Sequence, residues 1–471
     1  MRKALFIAAA LGLALAAVAV ALAYQAAARD RDYRAFLASG DAAVRDEQTF
    51  GAIEAYSGAI ALRPESMLPH LRRGEAYQRR GELEEAARDF RTAAALDPAA
   101  TRPLEALGDV LYEMKRFDRA AETYARNLRV DDRSAAVSYK LALARYRSGD
   151  IDAALTSLGV TLRLNDRLPD AAYLLGLCYR DTRRTVEALA AFERAIALAP
   201  GHIPAREELA DLYGSTGRHA KAIEQLQAIA GLDRDHVERL VALGLAQARA
   251  GHEEVAVLTL GSALDRMPGQ PLLYGALGQV WLDRAQRHQD RVYLSKALEA
   301  LGHVASSPDA TSETLTLYAR ALIMDDQLEA AEQALQRAST RYPVEPASLV
   351  LYATVAEKRG HLDAGRQALI DYAALVADNE DALQHATRIA SLSVTLNDPQ
   401  TAVAWLERGL RMAPEDLRLL MQLADAQIRE GDRAAAETTI ARALKKDPSN
   451  PALLALSRRA LISRWSLVVG H

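Results

Sequence analysis

Two hydrophobic patterns divide this chain. The first is continuous. After Arg2 and Lys3, no polar side chain occurs from Ala4 to Ala23. Twenty residues at helical rise are enough to cross a bilayer core. The second is periodic and begins near Tyr33. Within Met67–Ala100, His70, Arg73, Gly74 and Tyr77 fall on one side of a helix, and Gly81 interrupts it. Ala86, Phe90 and Ala93 then recur at the i, i+4, i+7 spacing of a second buried stripe. Pro98 cannot continue that helix. The pattern predicts two helices and a turn.

The unit repeats. Pro64, Pro98, Pro200 and Pro268 are 34, 102 and 68 residues apart, all multiples of 34. The turn glycines Gly81, Gly149, Gly217 and Gly251 are 68, 68 and 34 apart. Such self-similarity marks stacked helical hairpins. Counted this way, units span 33–66, 67–100, 101–134, 135–168, 169–202, 203–236, 237–270 and 271–311. The register then slips. Pro268 to Pro343 is 75, two periods plus seven; Pro343 to Pro414 is 71, two periods plus three. The later units are 312–345, 346–379, 383–416 and 417–450, twelve in all. The seven extra residues fall within Asp283–Ser295 and predict a lengthened first helix or a protruding turn.

Met67–Ala100 resembles the tetratricopeptide repeat. Gly74 stands at the family's small eighth position, Tyr77 at its aromatic eleventh, and Ala86, Phe90, Ala93 and Pro98 at its later marks. His70 departs, where the family often has Trp. Pro169–His202 carries the pattern strongly, with Leu175, Gly176, Tyr179, Ala188, Phe192, Ala195 and Pro200. Ala135–Leu168 has Asp166 in place of the proline, and Pro346–Asn379 has Gly365 in place of an alanine. The resemblance implies an all-α, right-handed α-solenoid of about twelve hairpins. Pro451–His471 reads as a C-terminal capping helix. Its apolar Leu461, Ile462, Trp465, Leu467, Val468 and Val469 offer self-association as the alternative.

Composition narrows the function. Half the residues are apolar and a quarter charged. The 58 basic and 62 acidic residues are mixed, giving a net charge of −4 and little electrostatic support for nucleic-acid binding. One cysteine, Cys178, excludes an intrachain disulfide and a cysteine zinc site; it reads as a small core residue. No phosphate loop, Gly-x-Gly-x-x-Gly or His-Glu-x-x-His pattern occurs. His219, His252 and His361 fall at turns, and His202 and His236 at unit ends, all read as exposed connectors. Asp131–Asp132 and Asp325–Asp326 also fall in turns, where Asp serves local hydrogen bonds. The expectation is a non-catalytic protein with no metal and no cofactor.

The resemblance also implies a groove. In the family, the second, fifth, ninth and twelfth positions of the first helices face inward. They correspond to Arg102, Glu105, Asp109 and Tyr112; then Ala136, Tyr139, Leu143 and Tyr146; then Asp170, Tyr173, Leu177 and Arg180; then Glu207 and Asp211. Tyrosine supplies large contact area with a polar tip, so Tyr112, Tyr139, Tyr146 and Tyr173 form a candidate contact patch for a peptide or protein segment. The alternative is that they pack along the wall against Leu143 and Leu177. The acids are expected to be solvated or paired with Arg102 and Arg180. The Lys and Asn that let some members hold a C-terminal carboxylate are missing; Leu71 and Glu75, Glu105 and Asp109, or Tyr139 and Leu143 stand there.

Residues 1–28 are expected to be an uncleaved membrane anchor, crossing the bilayer through residues 4–23. The alternative is a signal segment cut after Ala21–Ala23 or Ala26–Ala28. The first places the array in the periplasm of a bacterial inner membrane; the second releases it there. The whole predicts a tethered scaffold that binds proteins or peptides in an envelope complex, with a ligand- or peptide-sensing regulator as the alternative and an enzyme as a remote one, for which Glu105, Asp109, Asp170, Glu207 and Asp211 are the only candidate titratable groups.

Overall fold

The computed structural model describes residues 2–377 and 381–465; the side chains of 2–12, 14 and 461–465 lie outside the described residues. Within these bounds the chain is all helix. It divides into two compact units, Met1–Gln225 and Leu226–His471. In the first are α1 (Arg2–Arg45), α2 (Thr49–Leu62), α3 (Met67–Arg79), α4 (Leu83–Leu96), α5 (Thr101–Glu113) and α6 (Phe117–Val130). They continue with α7 (Ala135–Arg147), α8 (Ile151–Leu164), α9 (Pro169–Asp181), α10 (Thr185–Leu198) and α11 (Ile203–Ser215). The division falls inside α12 (His219–Leu232). The second unit holds α13 (Val237–Arg249), α14 (Glu253–Arg266), α15 (Pro271–His288), α16 (Arg291–Ala305), α17 (Ser312–Met324) and α18 (Leu328–Ala338). It ends with α19 (Pro346–Arg359), α20 (Leu362–Leu375), α21 (Ala382–Thr395), α22 (Pro399–Met412), α23 (Leu417–Glu430), α24 (Arg433–Leu444) and α25 (Pro451–Trp465).

Within each unit the helices pack as consecutive antiparallel pairs, an α-solenoid. One contact closes each of several hairpins. A large side chain from the second helix sits on the small eighth residue of the first: Phe90 on Gly74, Tyr124 on Gly108, Phe192 on Gly176. A Cβ at Gly74 would stand 2.7 Å from the Phe90 ring, inside van der Waals contact. The rings of Phe90 and Phe192 are fully buried. Truncating such a ring costs about 3–5 kcal/mol. In the second unit Leu260 replaces the ring on Gly244, and Leu301 on Gly278.

The turn between paired helices has a fixed conformation. Gly81, Gly149, Gly217 and Gly251 are left-handed, with φ between 73° and 87°. The intervening turns place Lys115 (φ 58°) and Arg183 (φ 60°) at the same point, each 34 residues after a glycine. L-residues adopt this region at a cost of about 1–2 kcal/mol. At the opposite edge, Asp97, Asp131 and Asn165 each accept a hydrogen bond from the backbone N–H two residues on, at 3.0–3.1 Å. Asp131 is therefore a turn former. Asp325 accepts from Gln327, and Asp326 is the left-handed residue of its turn (φ 61°).

The helix of Pro271–His288 is 18 residues long, against 13 for α13. The left-handed residue moves to Gln289, 38 residues after Gly251, and the next follows 37 later at Asp326. Four of the seven extra residues thus add a helical turn before the bend, and three follow it. At the C-terminal end Leu453, Leu456 and Ala460 are buried against Leu420, Leu423, Ala424 and Ile440, so α25 covers the last hairpin. The apolar side chains from Leu461 onward lie outside the described residues.

The N-terminal expectation needs correction. Among the described residues, no helix is long and apolar enough to cross a membrane. The helix of the apolar run continues through Arg29, Asp30, Arg31 and Asp32 to Arg45, where Tyr56 packs on Gly40. The run is part of the first hairpin's own helix. The anchor through residues 4–23 is unsupported, and placement in an inner membrane or periplasm is withdrawn.

Replacing Lys115 by Gly should raise stability by up to about 1 kcal/mol, and Gly149→Ala should lower it by about as much, read as urea or thermal midpoints. Equal midpoints for the two variants would contradict the shared turn conformation.

Candidate functional site

The groove positions lie on first helices of successive hairpins in the first unit. On α5 lie Arg102, Glu105, Asp109 and Tyr112; on α7, Ala136, Tyr139, Leu143 and Tyr146; on α9, Asp170, Tyr173, Leu177 and Arg180; on α11, Glu207 and Asp211. A cavity of about 520 Å³ opens there. Its lining includes Asp109, Tyr112, Ala136, Tyr139, Leu143 and Asp170, joined by Gln78, Glu113, Tyr124 and Lys140. The structure thus brings together six of the groove positions. Tyr146, Tyr173, Leu177, Arg180, Glu207 and Asp211 lie along the same helices but outside the cavity, as do Arg102 and Glu105.

The tyrosines are half-buried. Tyr139, Leu143, Tyr146 and Leu177 pack against the core formed by Ala142, Leu158, Leu174 and Cys178. Tyr112 meets Phe117 edge-on, centroids 5.2 Å apart, and Tyr173 lies 5.8 Å from Phe192 and 4.9 Å from the His202 ring. Each tyrosine therefore supports the wall and still exposes part of its ring. Burial pushes the Tyr139 phenol up to about 12, helped by the charge of Asp170. Tyr146 also rises to about 12, through burial and its bond to Asp181 at 2.8 Å. Both stay neutral donors at neutral pH.

The acids find partners that the sequence did not disclose. Lys140 donates to Glu105 and Asp109, each at 2.7 Å. Asp109 also accepts from the Tyr124 hydroxyl at 2.6 Å. Arg102 instead reaches back to Glu75 at 2.7 Å. Arg180 bonds Asp181 at 2.9 Å and Glu208 at 2.5 Å. Burial pulls the Arg180 pKa down, but these two carboxylates outweigh it and hold it above the ordinary value. The signal was available for the pairs between hairpins: Arg102–Glu75, Lys140–Glu105, Lys140–Asp109 and Arg180–Glu208 span 27–35 residues, about one period, so a charge on one first helix meets the next. Among the histidines, His202 is no exposed connector. Its Nδ1 accepts from the Ala205 N–H at 3.1 Å, capping α11, while its ring packs on Tyr173. His361 contacts Glu332 at 2.7 Å. Among the described residues, no cluster of His, Cys, Asp or Glu is placed to hold a metal ion.

Sequence reading named no site in the second unit. A cavity of about 480 Å³ occurs there, lined by Ser391, Val394, Met421, Gln422, Leu456 and Arg459 among others.

Models of the tetratricopeptide repeat match residues 68–100, 139–203, 179–248 and 394–460. No curated protein matches the chain. Among solved structures, a repeat protein from Cytophaga hutchinsonii is 17% identical, covering 50% of this chain and 98% of its own, with a TM-score of 0.44. One from Parabacteroides merdae is 17% identical over 53% and 99%, with a TM-score of 0.40. YrrB, described as having an unusual peptide-binding site, is 24% identical over 40% and 97%, with a TM-score of 0.35.

The raised tyrosines set an alkaline limit. An unfolded phenol loses its proton near pH 10, while Tyr139 and Tyr146 hold theirs to about 12. Between these values unfolding releases protons, so their stabilisation is complete below pH 10 and is lost as pH rises to 12. Spectrophotometric titration should show that Tyr146→Phe removes a group titrating near 12. Loss of a group titrating at 10 would contradict the assignment.

Proposed function

This chain belongs to the tetratricopeptide repeat family, a family of protein-interaction scaffolds, and we propose that its first unit holds a protein or peptide segment against the face formed by α5, α7 and α9. The observation that carries this reading is the cavity of about 520 Å³ walled by Tyr112, Tyr139 and Leu143. Half-exposed tyrosines supply contact area at small entropic cost, because each ring has two rotatable bonds and is already held by the core behind it. Arg102, Glu105 and Arg180 serve as flanking polar groups, committed to neighbours in the free protein. Tyr146, Tyr173, Leu177, Glu207 and Asp211 extend the surface along α7, α9 and α11.

An assembly role in a bacterial envelope complex depended on the N-terminal run acting as an anchor. With that anchor unsupported, the proposal is confined to binding of proteins or peptides.

Crosslinking in intact cells followed by pull-down tests it. Changing Tyr139 and Tyr146 together to Ala should lower partner recovery at least tenfold, since interface tyrosines cost about 1–2 kcal/mol each on truncation. Circular dichroism should show the helices retained. Full recovery by the folded variant would reject this face.

A further inference from the structure

We infer that the segment this face accepts is cationic, a lysine- or arginine-bearing peptide whose basic side chain enters the cavity between α5, α7 and α9. The inference rests on the groove reading above and adds the chemistry of the occupant. Three carboxylates line the cavity, Asp109, Glu113 and Asp170, against one ammonium, Lys140. The excess is two negative charges (3 − 1). Lys140 is already spent on Glu105 and Asp109, and the second oxygen of Asp109 takes the Tyr124 hydroxyl. Two carboxylates stay open to a ligand. Asp170 has a side chain 67% exposed and only a 3.4 Å approach from His202. Glu113 is exposed, with only a 3.4 Å contact from Gln78.

Apolar wall lies between these acids. A lysine or arginine has an apolar stem and a charged head. The stem fits against Tyr112, Tyr139 and Leu143, where the ring faces also attract a cation. The head then reaches Asp170 or Glu113. An acidic segment would meet the same two carboxylates as repulsion. Arg147 is a cation whose charge reaches Tyr139 and Tyr173, but it does not line the cavity. Arg180 is held by Asp181 and Glu208.

The test uses the full chain and three fluorescent probes read by anisotropy. One is a short amphipathic lysine–leucine peptide; the others carry glutamine or glutamate in place of every lysine. The lysine probe should bind about tenfold more tightly than the glutamine probe in dilute buffer, and the gap should shrink several-fold at high salt as charges are screened. Changing Glu113→Gln and Asp170→Asn together should weaken the lysine probe about fivefold and shrink its advantage over the glutamine probe. Both residues are exposed, and the salt series needs only the unaltered chain, so the result does not depend on a variant folding. If the glutamine or glutamate probe binds as tightly as the lysine probe, the cationic assignment is overturned while the tyrosine face survives. Absence of binding by all three probes also overturns it. A Tyr139→Ala chain that binds the lysine probe undiminished would overturn both this assignment and the face itself.

Discussion

A side chain lying on a backbone with no Cβ sets the geometry of this protein. Phe90 on Gly74, Tyr124 on Gly108 and Phe192 on Gly176 let the two helices of a hairpin approach closely enough to exclude water. No hairpin can bury its outer faces alone, so each depends on the next. The period of the contact becomes the period of the stack. Among the described residues of the first unit, short turns join consecutive helices. What the repetition produces in the first unit is a series of first helices one period apart, and the proposed binding face lies on α5, α7, α9 and α11.

Polar chemistry on the face follows the same period. Lys140 lies 35 and 31 residues from Glu105 and Asp109; Tyr146 lies 35 from Asp181. These bonds join consecutive hairpins and are part exposed, so each contributes only about 0.2–1 kcal/mol. Their larger effect is to fix which charges are committed and which stay open. Asp170 and Glu113 stay open beside rings already held by the core. Preorganised aromatic wall beside unspent charge is the combination the proposed site rests on.

Much of this was legible before any coordinates. Proline spacing gave the period, and the small and aromatic marks gave the hairpin and the family. The groove tyrosines came from register within the repeat, and the structure places Tyr112 and Tyr139 in one cavity. Three things were hidden. The left-handed turns at Lys115 and Arg183 carry no glycine, so a search for glycine passes over them; adding 34 to Gly81 and Gly149 finds them. Lys140 escaped because it sits at none of the inward positions, yet its long stem carries the ammonium across to the previous hairpin. His202 looked like a loop residue, but it caps α11 and covers Tyr173. The N-terminal run misled for another reason. The run belongs to the 44-residue helix that enters the first hairpin, and among the described residues no helix is long and apolar enough to cross a membrane.

The central claim is that hairpins are closed by a ring on a glycine and supported only by their neighbours. Hydrogen exchange with mass spectrometry on a Gly176→Val chain tests it directly. The added methyls displace the Phe192 ring, and overpacking of this kind costs about 1–3 kcal/mol. The account predicts faster exchange in α9 and α10, a smaller rise in α8 and α11, and unchanged protection in α3 and α4. Uniform loss of protection from α3 to α11, or no loss in α9 and α10, would contradict it.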